Sequence, residues 1–321
     1  NLSAVRRRGS GGGSPVTLDI LIRNGSVADG TGGEPFVADV GVLNGRIAAI
    51  GKIEGHARQE IDASGLMVTP GFIDIHSHSD YTLLVDPRAQ SAIQQGVTLE
   101  VIGNCGHGCF PIRNVSLARR AIYGINGEVP LDWTRPAQYF ERLERARPAV
   151  NVLSLVPNGQ LRLANIGVEA RPASPTELRS MIRDLEEGLE AGAFGYSTGL
   201  EYAAEAGASR SEIETLCRVV AKQGGLYATH TRYRDEGAAS AVAEALETAR
   251  AAEVRLQISH LLPRSGRVEC ERCVDVVDEA IRSGQDVSFD MHTRLFGLTF
   301  LHALLPPWLS ADDPEALRTQ L

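Results

Sequence analysis

Lysine is almost missing from this chain. Of its 32 basic residues, all but Lys52 and Lys222 are arginines. An excess of positive charge is missing too: the net charge is -8, which argues against nucleic acid or an anionic membrane surface as the main partner. No uninterrupted apolar run is long enough to span a bilayer. Arg6-Arg7-Arg8 is followed by Gly-Ser-Gly-Gly-Gly-Ser rather than an apolar segment, so it does not open an export signal. The five cysteines are too few and too unevenly placed for a disulfide framework, which leaves reduced thiols and a cytoplasmic location as the expectation. Cys270 and Cys273 have redox-motif spacing but no second pair, and they fall inside a helical pattern. No G-x-G-x-x-G fingerprint follows a strand, which removes the main support for a dinucleotide-binding sheet.

What is present is a change of grammar near residue 70. Residues 1–15 read as a flexible tail. Residues 16–70 carry short apolar or alternating runs broken by Asn24-Gly25 and Asn44-Gly45, a strong hairpin signal, and so predict a small β-sandwich piece. Residues 71–321 repeat strand, loop and helix. Ser174-Pro175-Thr176-Glu177 forms a capping box with proline at the first helical position. Leu178, Met181, Ile182, Leu185 and Leu189 follow at helical spacing, and Gly192 closes that helix. Ser209-Arg210-Ser211-Glu212 opens another. With 71–75 as the first strand, seven strand–helix units occur in order, which predicts a (β/α)8 TIM-type barrel incomplete by one strand.

Barrel chemistry collects where strands end. The first strand ends in His76-Ser77-His78, the second in Gly103-Asn104-Cys105-Gly106, the fifth in His230 and the sixth in His260. Imidazole is the commonest neutral metal ligand, and residues two apart on a strand share a face. The four strand-end histidines together predict a metal site, although any one alone could be a coincidence of packing. Cys105, set between glycines, is expected to present an exposed thiolate able to bridge two divalent ions.

Phe72-Ile73-Asp74-Ile75-His76-Ser77-His78 resembles the first-strand signature of the amidohydrolase superfamily. Glu100–Gly106, Phe194–Tyr202, Thr229–Arg232, Ser259-His260 and Leu304–Trp308 extend the likeness over about residues 16–310 and resemble the D-aminoacylase (N-acyl-D-amino-acid deacylase) branch. The resemblance implies a zinc-dependent hydrolase acting on a linear amide of a small N-acyl amino acid. By carry-over, Cys105, His230 and His260 would hold a tight zinc, and His76 and His78 a second, weaker divalent ion. Neither lysine lies at a strand end, so Cys105 rather than a carboxylated lysine is the expected bridge.

The family's catalytic aspartate follows an eighth strand, and this chain, beginning at Asn1, ends before one can form. It therefore reads as a fragment of a longer protein. Leu262 stands where the family has lysine, and Asp290-Met291-His292-Thr293-Arg294 replaces Asp-x-Tyr-Pro-Tyr, leaving Arg294 or Arg264 as a substitute partner for a substrate carboxylate. Arg232 is either a bidentate carboxylate clamp or a rim salt bridge. Tyr202 and Ser197 are candidate pocket residues, Asp74 an orienting group for the histidines, and Asp80 a surface loop residue. Hydrolysis of a cyclic amide or a dipeptide, and an inactive metal-binding fragment, are the alternative functions.

Overall fold

The computed structural model describes residues 17–292. The expected tail over 1–15, Arg294 and the Leu304–Trp308 run lie outside them. The chain divides into two compact units, one ending at Gly71 and the other beginning at Phe72.

The first unit is one five-stranded sheet, built from β1 (Leu18–Val27), β2 (Phe36–Leu43), β3 (Arg46–Gly51), β4 (Ala57–Asp62) and β5 (Met67–Val68). β2 pairs antiparallel with β1 and β3, while β4 and β5 lie parallel to β1. Val27, Ala38 and Val40 form its small core with Ile22 and Val68. The two Asn-Gly pairs behave differently. Asn44 and Gly45 both take positive φ between β2 and β3, as a two-residue hairpin turn requires. Asn24-Gly25 makes no turn, contrary to the hairpin expectation. β1 runs straight through it with a register shift between Ile22 and Gly25, the mark of a bulge. Gly25 is packed against Val68 and Ala63 with no room for a side chain. Between β1 and β2, Asp29 instead caps a turn by accepting from the Thr31 N–H and hydroxyl.

The second unit is a seven-stranded sheet of β6 (Phe72–Asp74), β7 (Val97–Ile102), β8 (Asn151–Pro157), β9 (Gly195–Gly199), β10 (Leu226–His230), β11 (Arg255–Ile258) and β12 (Val287–Phe289). The strands lie in chain order and every neighbouring pair is parallel. That is the order of a (β/α)8 barrel, where a doubly wound sheet would reverse direction midway. The sheet curls enough for side chains just beyond its edge strands to touch, His76 Nδ1 after β6 lying 3.1 Å from Asp290 Oδ1 after β12.

Alternation along the strands sorts the core into two layers. Val101, Leu155 and Ala228 form an inner apolar cluster. Ile102, Val156, Tyr227 and Ile258 pack outward with helix residues such as Met181, Leu185, Leu216 and Val242. His230 shares Ala228's inner face, so β10 aims its last side chain into the barrel. The helix Pro175–Glu190 begins as the capping box dictates: the Ser174 hydroxyl accepts from the Glu177 N–H at 3.4 Å and Glu177 Oε2 accepts from the Ser174 N–H at 2.7 Å. The helix Arg210–Lys222 is capped by Ser209, but its Glu212 turns inward and pairs with Arg162, whose side chain is 0% exposed. Arg162 also donates to the carbonyls of Ala204 and Arg171. All five cysteines are free, and among the described residues no helix is long and apolar enough to cross a membrane.

A buried guanidinium stripped of its carboxylate is an uncompensated charge in a low-dielectric site. Glu212→Ala is therefore expected to lower unfolding free energy by about 3–5 kcal/mol, measured by urea titration, and a loss under about 1 kcal/mol would contradict this account of the Arg162 pair.

Candidate metal centre

Beyond β7 the backbone folds back on itself through Gly103, Cys105 and Gly106, all at positive φ. Glycine is obligatory at two of these points. A Cβ on Gly103 would collide with the Leu155 carbonyl, and one on Gly106 with the Glu205 carboxylate. The Ser197 hydroxyl clamps the turn, accepting from the Gly106 N–H at 3.0 Å and donating to the Gly103 carbonyl. A non-glycine residue at φ 54° and ψ 30°, as Cys105 is, persists only where its surroundings over-determine it. The turn does not expose the sulfur as expected; Cys105 is 1% exposed, enclosed by imidazoles.

His76 Nε2 lies 3.1 Å and His260 Nε2 3.4 Å from Cys105 Sγ. The three ligand atoms fall within 4.8 Å of one another. His230, at the end of β10, packs its ring 4.6 Å from that of His260. Carboxylates fix which nitrogen faces inward in two of these rings. Asp290 Oδ1 holds His76 Nδ1, and Glu201 Oε2 holds His230 Nε2 at 2.8 Å. Asp290 also accepts from the His260 N–H at 2.7 Å and from Gln257 Nε2 at 3.0 Å. Nδ1 of His230, on the ring edge away from Glu201, is buried without a hydrogen-bond partner, as is Nδ1 of His260, whose Nε2 is the nitrogen facing Cys105. A carboxylate on the outer nitrogen and an unsatisfied inner one is the arrangement of metal-binding histidines. The donor set, thiolate plus imidazoles, suits zinc.

The electrostatics agree. Burial opposes ionisation of Cys105, yet the charge of His76 and the hydrogen bonds of His76 and His260 to its sulfur hold its thiol well below the usual range. Burial likewise works to lower the His76 pKa, but the Cys105 thiolate and Asp290 raise it to about 10. Burial dominates at His260, which falls to about 4 and stays neutral. Glu201, despite burial, is held at about 2 by His230 and Arg264.

His78 stands apart from this cluster. β6 stops at Asp74, so His76 and His78 sit in the loop beyond it and do not project side by side from a strand. Their rings are 5.3 Å apart and edge-on. His78 stacks on Tyr123 at 4.4 Å, and Tyr123, His107 and Tyr202 continue as a wall of rings that reaches His230.

The other sequence expectations sort themselves by their partners. Tyr202 lies against the cluster. Ser197 is buried and engaged in bracing the Cys105 turn. Arg232 is engaged by Glu244, at 2.9–3.2 Å, and by the carbonyls of Ala206 and Ala208, the salt-bridge alternative rather than an open clamp. Asp74 accepts the His76 N–H at 3.0 Å, bracing backbone rather than imidazole. Asp80 is no surface residue: it is 3% exposed, and burial pushes its pKa up to about 7. Asp290, Glu201, His107, Tyr123 and Arg234 were not singled out as site residues from sequence. Asp290 alone carried a usable signal, because it ends a strand as the histidines do.

The amidohydrolase family profile matches residues 59–318. An N-acyl-D-glutamate deacylase of Alcaligenes xylosoxydans xylosoxydans is 37% identical over 279 residues, covering 86% of this chain and 57% of its own length. The crystal structure of an N-acyl-D-glutamate deacylase from Bordetella bronchiseptica, with zinc and a phosphonate mimic of the tetrahedral intermediate, matches with a TM-score of 0.79 at 35% identity, covering 87% of this chain and 59% of that one. A D-aminoacylase structure that addresses one-metal activation and second-metal attenuation in a binuclear centre matches with a TM-score of 0.78 at 34% identity, with the same coverages. The chain thus spans 57–59% of the length of these relatives.

Two outcomes follow from this geometry. Cys105→Ala is expected to reduce bound zinc, measured by plasma mass spectrometry after dialysis, at least about tenfold with the circular dichroism spectrum unchanged; full retention of zinc would remove Cys105 as a ligand. Burial lifts the Glu205 pKa from 4.5 to about 7, against the bond from Asn158. The folded protein therefore holds this proton where the unfolded chain has released it. The resulting stability is fully present below about pH 4.5 and is lost as pH rises through about 7. In Glu205→Gln, urea midpoints should fall less steeply between those limits than in wild type, and an identical slope would refute the burial argument.

Proposed function

The chain belongs to the amidohydrolase family, and from that premise we propose that it carries the metal site of a zinc-dependent hydrolase that deacylates N-acyl-D-amino acids. The observation that carries this reading is the Cys105 thiolate seated between His76 and His260 in a chain with no lysine at the C-terminal end of a described barrel strand. Lys52 follows β3 and Lys222 ends the helix Arg210–Lys222. Cys105, His230 and His260 would hold one tightly bound zinc, with His76 and His78, sharing Cys105, for a weaker second ion. Zinc bound there would supply Lewis acidity, polarising an amide carbonyl and acidifying a water.

The chain's own residues prepare the site for that chemistry. Asp290 fixes His76 and the backbone of His260 in one step, since its two oxygens accept from His76, His260 and Gln257. With three donors on its two oxygens, Asp290 acts as a positioning group. Glu201 fixes the tautomer of His230 and is itself anchored by Arg264. Among the described carboxylates at the cluster, neither stands free to shuttle a proton, so that role belongs to a group beyond them. The rings of Tyr123, His107 and Tyr202 wall the cluster and limit water around a bound acyl group.

A panel of N-acetyl-D-amino acids, their L-enantiomers, hydantoins and β-aspartyl dipeptides, assayed with the metal-loaded protein, tests the reading. Acetate release from the D-substrates is expected, lost on treatment with a chelator and restored by zinc. Turnover of cyclic imides alone would overturn the deacylase assignment in favour of ring hydrolysis.

A further inference from the structure

Three arginines follow one another around the end of β10 and β11, and their charges are balanced very differently. Arg232 faces Glu244 in a bidentate pair. Arg264 is bound to Glu201 and lies 4.0 Å from Asp235. Arg234 has no carboxylate within salt-bridge distance among the described residues. Its Nη2 donates to the carbonyls of Leu262 at 3.0 Å and His260 at 3.5 Å, which seats the guanidinium against the loop that carries His260. Two neutral carbonyls engage one face of a five-donor fork and leave its charge uncompensated.

The neighbours sharpen the point. Arg234 lies near enough to Glu201, Tyr202 and Cys105 to interact with their charges, and Arg264 repels it. Burial, the dominant influence, pushes its pKa below the usual arginine value. Glu201 is engaged by His230 and Arg264 and makes no salt bridge to Arg234. A partly buried guanidinium without a counter-ion is costly, and a planar anion presented bidentately is what it recognises best.

We propose that Arg234 is the residue that binds the carboxylate of an N-acyl amino acid, a planar anion that completes the ion pair the fold leaves open. This assignment rests on the deacylase reading for the identity of the ligand. It transfers to Arg234 the role considered for Arg264, whose guanidinium is tied to Glu201. Because Arg234 also touches the His260 carbonyl, a substrate carboxylate anchored on it would lie beside the histidine cluster, with the acyl end directed toward Cys105.

The test compares N-acetyl-D-leucine with its uncharged carboxamide, measuring binding by titration calorimetry on the metal-loaded full chain and, separately, acetate release. Wild type is expected to bind the acid about 10- to 100-fold more tightly than the amide. Arg234→Gln should abolish that preference, weakening the acid far more than the amide, while Arg234→Lys, which keeps the charge, should restore part of it. A role confined to bracing the His260 loop would weaken both ligands equally, and an acid-to-amide ratio unchanged in Arg234→Gln overturns the proposal, as does a wild type without that preference. Binding that follows the expected pattern without acetate release would uphold Arg234 while overturning the deacylase reading.

Discussion

Everything in the candidate site hangs on the left-handed turn that carries Cys105. Placing a side chain at φ 54° costs on the order of 1–3 kcal/mol, and four separate contacts hold it there: the packing of Gly103 on Leu155, the Ser197 hydroxyl across the turn, the tight fit of Gly106 to Glu205, and the bond from Asn158 Nδ2 to Glu205. The supports come from β7, β8, β9 and the residues just beyond them, so the position of one sulfur integrates three strands of the barrel. The reward is electrostatic. A thiolate surrounded by His76, His230 and His260 has imidazoles from the first, fifth and sixth strands directed at it, and no flexible side chain has to reach across the mouth.

The carboxylates explain why the imidazoles stay in place. Asp290, just past the last described strand, contacts His76 beyond the first and accepts the His260 N–H at the same time. His260 itself sits at φ 37°, an uncommon conformation for a non-glycine residue, and that hydrogen bond offsets part of its strain. One aspartate thus links the sheet edges and orients two histidines, which ties the curvature of the barrel to the geometry of its site.

Much of this was legible in sequence for identifiable reasons. Strand C-termini converge in a barrel, so His230, His260 and Cys105 could be placed together from their positions at the ends of apolar runs. The capping box at Ser174 is a local motif, and local motifs survive folding. What the chain did not disclose depends on contacts between residues distant in sequence. Asn24-Gly25 carries the same hairpin signature as Asn44-Gly45, but pairing with Asp62 and packing on Val68 keep β1 continuous. Asp80 looks like a polar loop residue until the loop between β7 and β8 buries it; Tyr139 from that insertion donates to the Asp80 carbonyl at 2.8 Å. His76-Ser77-His78 reads as a strand-borne pair, yet the strand ends two residues earlier and the rings diverge, one to Cys105 and one to Tyr123.

Charge balance is where the arginine-rich composition acquires meaning. A lysine ammonium is a compact, strongly hydrated point charge on a flexible stem, whereas a guanidinium offers a fixed planar fork and gives up its water more readily. At this site the difference matters because the positive groups serve two purposes at once. Arg264 anchors Glu201, which in turn fixes His230, and that chain of bonds needs directional donors. Arg234 braces the His260 loop through carbonyls, and in its proposed role it would keep further donors for an incoming anion, which suits a five-donor planar fork. The same side-chain type thus supports the histidine cluster from behind and, in the role proposed for Arg234, would meet a substrate carboxylate in front, a role that lysine, with a point charge in place of the planar fork, would fill only in part.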